Sequence, residues 1–213
     1  MPDATALAGK HQVRPLPFQP ARLKGLSERL IVSHHENNYG GAVRNLNRVE
    51  EELSRVTKDT PPPIVAALKE RELTFANSAT LHELYFGNLG GDGRPGGATG
   101  RAVSRAYGSF ARWEEQFRLT GMGLAGGSGW AILTYDFQRR DVRTYWSGNH
   151  TQGCAFGQPL LVLDMYEHAY ALDYGAAAAK YVDAFFQNVH WDEVERRLEA
   201  VGKAAEEPRG GTS

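Results

Sequence analysis

One cysteine, Cys154, stands among 213 residues, so no intrachain disulfide is available and stability has to come from packing. Long apolar runs are missing as well: nothing approaches the ~20 consecutive apolar residues that span a bilayer, and the first residues carry no secretory-type apolar stretch. Neither sign of charge dominates, with 24 Lys and Arg against 25 Asp and Glu and a formal net charge of -1. The basic stripe of a nucleic-acid binder is absent. These absences lead us to expect a soluble cytoplasmic protein with neither nucleic acid nor membrane among its partners.

What is present is an ordinary globular composition, 41% hydrophobic and 23% charged, in a chain long enough for one large domain or two small ones. Pro15, Pro17 and Pro20 make the start an extended arm, and Gly210 and Gly211 make residues 206–213 a disordered tail. Leu46, Val49 and Leu53 mark a helical pattern over residues 26–55, with a kink or two stacked helices expected at Gly40 and Gly41. Pro61, Pro62 and Pro63 then interrupt the chain before a second helix over residues 64–86, with a break expected at 74–78. The run GNLGGDGRPGGATG reads as a flexible connector. It lacks the lysine of a phosphate-binding loop. We place the domain boundary in it: an arm and helical hairpin over residues 1–92, a second domain over 93–205.

Two short helices are expected next, over 102–107 and 110–119, then strands over 130–135, 142–146 and 159–163. Asp136, Arg139, Arg140 and Asp141 form a polar hairpin turn between the first two strands. Helices over 176–188 and 191–201 close the chain; Trp191, Val194, Leu198 and Val201 stripe the last. Helices first and a small antiparallel sheet later make the class α+β.

Chemistry concentrates in the histidines. Asp164 and His168 lie one helical turn apart in LLVLDMYEHAY, directly after an apolar strand. A buried carboxylate there needs a cation, a proton or a partner, although an N-cap aspartate beside a core histidine has the same spacing. His82, alone, reads as a core histidine. His34 and His35 are adjacent, so one faces inward. Three imidazoles and a carboxylate suit iron, manganese or zinc, and spacing does not choose among them.

The segment DMYEHAY resembles the D-x-[WY]-E-H-A-[FY] signature of the iron/manganese superoxide dismutase family. GSFARWEEQF, GSGW, PLLVLD, NVHWDEV, PLPF, SHHENNYGGAVRNLN and NSATLHELYF are similar to further family segments and follow in the same order. The resemblance implies a helical-hairpin first domain, an α/β second domain with a three-stranded sheet, and one iron or manganese ion between them. His34, His82, Asp164 and His168 match its metal ligands, and His150 its contact to solvent at the metal. Tyr39 and Tyr166 are the candidate tyrosines beside them. Glu167 matches a residue that reaches across a subunit interface, which implies a homodimer or homotetramer. Superoxide is the implied substrate, and His150 leans the metal toward iron.

Departures cluster around the implied substrate funnel. The gateway tyrosine falls on Ala42, the interface histidine on Asn38 with its tyrosine partner on Ala171, and the channel arginine on Ala178. Alanines there predict a wider channel, which raises two other readings: an oxidase or oxygenase for a larger organic substrate, or a non-catalytic dimer stabilised by metal. Tyr39, five residues after His34, should approach from a different side of an α-helix.

Overall fold

The computed structural model describes residues 9–155 and 157–206. Residues 207–213 of the expected tail and the first eight residues of the expected arm lie outside that span. Helix α1 (Glu28–Ser33) starts at Ser27, whose hydroxyl accepts from Leu30 N–H and donates to Asp173. This N-cap satisfies an otherwise orphan donor. The chain then makes a π-helical turn over His34–Tyr39 before α2 (Gly40–Leu53). The irregularity expected at the glycines therefore sits just before them, with Gly40 N–H bonding back to His35 O.

Helix α3 (Pro62–Gly87) is unbroken. Prolines fit its first turn because those N–H groups have no helical partner. The polar stretch expected to break it stays helical, with Thr74 Oγ1 donating back to Glu70 O.

After α3 the glycine-rich run is partly tied down rather than free. Gly91 N–H donates to Asn188 O, Gly93 N–H to Val189 O, and His190 N–H to Asn88 O. A Cβ on Gly91 would lie 2.3 Å from Val189 O, so only glycine lets the two backbones meet. Its last residues already belong to α4 (Gly97–Tyr107), followed by α5 (Phe110–Met122).

The sheet has the order β2-β1-β3, all antiparallel, from β1 (Trp130–Asp136), β2 (Asp141–Ser147) and β3 (Gly157–Asp164). β1 and the end of β3 are buried on both faces, which explains apolar runs in place of alternation. α3 and α8 (Trp191–Glu206) pack on β3, α5 on β1, and α4 on β2. Between them run a 3-10 turn (Glu167–Ala169), α6 (Ala171–Tyr174) and α7 (Ala178–Gln187). One core joins Leu30, Ile31 and Tyr85 to Trp130, Leu163 and Phe185, so helices from the first half close directly over the sheet of the second. The fold is α+β with a three-stranded antiparallel sheet.

Candidate metal centre

Four side chains from four elements meet where the helices cover the end of β3. His34 opens the π-helical turn, His82 lies on α3, Asp164 ends β3, and His168 sits in the 3-10 turn after it. Each offers one donor atom, and these atoms lie within 4.8 Å of one another. Asp164 Oδ2 is their centre: His34 Nε2 stands 3.1 Å away, His168 Nε2 3.2 Å and His82 Nε2 3.6 Å. His34, His82 and Asp164 are buried, and the His168 side chain is 25% exposed.

Protein groups hold the outer atoms of His82 and Asp164. His82 Nδ1–H donates to Ser78 O at 2.7 Å, which leaves Nε2 as a lone pair facing inward. Asp164 Oδ1 accepts from Tyr166 N–H at 2.9 Å, and its backbone oxygen from the Tyr181 hydroxyl at 2.7 Å. His34 Nε2 is close to the carboxylate but makes no hydrogen bond with it; this nitrogen and His82 Nε2 are buried without a partner. Burying polar atoms unpaired costs on the order of 1–3 kcal/mol each. Orphaned imidazole nitrogens converging on a buried carboxylate are what a cation would satisfy, so these residues fit a metal ion.

The electrostatics agree. Burial lowers the pKa of His34, and lowers that of His82 to about 3, outweighing the attraction of Asp164 in both. Burial alone would raise the Asp164 carboxyl, but the pull of His168 and His34 overcomes it and holds the group well below the usual carboxylate range. His34 and His82 are thereby kept neutral beside an ionised Asp164, the protonation states a metal needs.

Around the four, His150 accepts at Nδ1 from Trp130 Nε1–H at 3.1 Å. Tyr166 is stacked between His150 (ring centroids 4.7 Å apart) and His168 (5.3 Å). The Tyr39 ring stacks on His82 at 6.4 Å, although five residues along an α-helix would have set it on a different side from His34. The π-helical turn explains it, because its i→i+5 repeat brings residue 39 one turn on from residue 34. The Tyr39 hydroxyl is engaged elsewhere, donating to Glu83 Oε1 and accepting from Arg14 N–H.

The expected widening is not seen at two of the three alanines: Ala42 and Ala178 are 6% and 3% exposed and packed in the core. Ala171 is exposed, beside exposed Glu167. Sequence reading missed Ser78 as the acceptor for His82, Tyr181 beneath Asp164, and Asn77, which donates to His150 O at 2.6 Å. Ser78 and Asn77 carried one usable signal, their position within about a turn of His82 on its helix. Tyr181 carried none.

Residues 95–197 match the family described as iron/manganese superoxide dismutases, C-terminal domain. The chain is 47% identical over 192 residues to a superoxide dismutase [Fe] of Cupriavidus metallidurans, covering 90% of this chain and 98% of that protein. It is 34% identical over 200 residues to a superoxide dismutase [Fe] of Saccharolobus solfataricus, covering 89% and 94%. With a superoxide dismutase [Mn] of Halobacterium salinarum it shares 32% over 203 residues, covering 92% and 99%. Relatives matched along nearly their whole length extend the likeness through the N-terminal helices that bear His34 and His82, and the chain belongs to the iron/manganese superoxide dismutase family.

Proposed function

We propose that the protein is a superoxide dismutase working with one iron or manganese ion held by His34, His82, Asp164 and His168. The carrying observation is the buried convergence of those four donors, with the inward Nε2 atoms of His34 and His82 left unpartnered. When bound, the metal supplies a one-electron couple. In the net reaction two superoxide anions and two protons become one dioxygen and one hydrogen peroxide.

The chain's own residues set the conditions for this. Imidazole binds a metal in its neutral form, so three histidines and one carboxylate would bring a single negative charge, and a divalent or trivalent cation among them would stay net positive and attract a small anion. His150, its Nδ1 occupied by Trp130, carries its ring proton on Nε2 and serves as a hydrogen-bond donor beside the site. Tyr166 stacks on His168 and holds that ring's plane. Tyr39 covers His82 and closes its outer side. Buried Ala42 and Ala178 support a substrate of two atoms over a bulky organic one.

Two coarser features belong to the same reading. The ion lies between an N-terminal unit of residues 1–92 and a C-terminal unit of 93–205, each giving two ligands. The chain pairs as a homodimer through the face bearing Glu167.

Elemental analysis and a superoxide assay on one native sample test the function. About one iron or manganese per chain with rapid superoxide loss is expected. His168→Ala should lower activity by at least about 100-fold and release metal, since ligand loss exceeds the 10–100-fold typical of outer contacts. Wild-type activity no better than the free metal ion rejects the reading.

A further inference from the structure

His150 does not sit on a helix or strand. It lies in an irregular segment, residues 148–155, between β2 and β3. Most hydrogen bonds there are internal or reach only the end of β2: Gly148 N–H to Gln152 Oε1, Asn149 Oδ1 accepting from Thr151 and Gln152, and Ser147 Oγ at the end of β2 donating to the backbone oxygens of Asn149 and Gln152. Ser128 Oγ adds one bond at its start, to Gly148 O. None of these fixes the segment relative to α3, the helix carrying His82.

One contact does. Asn77 Nδ2 donates to His150 O at 2.6 Å, and among the described residues it is the hydrogen bond that joins α3 to this segment. Asn77 stands on the same helix as His82, one residue before Ser78, the acceptor for His82 Nδ1–H. A single helix therefore sets both the tautomer of His82 and the backbone position of His150. Holding the His150 backbone matters because its ring is placed by two directional contacts, the Trp130 indole N–H on Nδ1 and the face of Tyr166. A bond near 3.1 Å weakens steeply with misalignment. If the segment drifts, Nδ1 loses its donor and the ring proton is no longer confined to Nε2.

The geometry points to Asn77 as a positioning residue for His150, coupling its segment to the His82 helix so that Trp130 keeps the imidazole as an Nε2–H donor beside the metal. The catalytic consequence rests on the dismutase reading; the coupling itself does not.

The test uses metal-loaded full-length protein with Asn77→Ala and the near-isosteric Asn77→Asp, which turns the donor into an acceptor facing His150 O and covers the case where the alanine variant fails to fold. Three quantities are read: amide hydrogen exchange of residues 148–155, the electron paramagnetic resonance spectrum of the bound metal, and kcat/KM for superoxide. We expect faster exchange in the segment, an altered metal spectrum at unchanged metal content, and kcat/KM lower by about fivefold, the weight of one ordinary hydrogen bond. The loss should be larger for the aspartate. Unchanged exchange in both variants overturns the coupling. Faster exchange with an unchanged spectrum reduces Asn77 to a structural role and equally overturns the proposal. Wild-type protein without dismutase activity rejects the functional reading, while exchange and spectrum still decide the role of Asn77.

Discussion

His34 and His82 carry the clearest consequence of burial. Both are held neutral in the folded protein, His82 down to about 3, whereas an unfolded chain protonates histidine near 6.5. Below that value the unfolded state binds more protons than the folded one, so stability rises with pH in this range. The contribution is complete above the unfolded pKa and declines as pH falls below it. Metal-free protein should therefore melt at progressively lower temperature between about pH 7 and about pH 5. A melting temperature flat across this interval would show that the two imidazoles are not buried neutral. Asp164 has the opposite assignment, a depressed carboxylate, and its contribution is lost only at lower pH, below the ordinary carboxylate value.

Elements place these residues through local departures from regularity. The π-helical turn over His34–Tyr39 lets one short segment present both a buried imidazole and the phenol ring that covers His82. The glycine-rich run works by close approach: a Cβ on Gly91 would lie only 2.3 Å from Val189 O. Gly91→Ala must push α3's exit away from the connection between α7 and α8, loosening the partners of Asn88 and Asn188. We expect a loss of about 2 kcal/mol or more, read as a drop in melting temperature of roughly 4–8 °C for a chain of this size. An unchanged melting temperature would mean that this crossing relaxes freely. The expected break in α3 failed for a related reason. Propensity over a few polar residues is a weak signal, and burial of Leu81, Tyr85 and Phe86 beyond them decided the helix.

At the scale of the molecule the four donors close over a centre that is open on one side, where His168 remains partly exposed next to exposed Glu167 and Ala171. A second copy covering this face would shield His168 and supply an acceptor to it. Sedimentation at micromolar concentration should find a dimer, and Glu167→Ala should shift it toward monomer with reduced metal content. A wild-type monomer retaining full metal content would remove the need for a partner.

The α+β class and the strand positions were legible in apolar runs and turn residues, because those signals act over neighbours in the chain. The aspartate and histidine after β3 were legible as a pair for the same reason, and ordered motif matches named His34 and His82 without showing that they meet. Their meeting was decided by packing: helices from the first half cover the sheet of the second through one shared core. No period in a sequence encodes which distant faces come together. The π-helical turn, the burial of Ala42 and Ala178, and the Asn77–His150 bond likewise depend on what lies opposite each residue in space, which only the folded chain supplies.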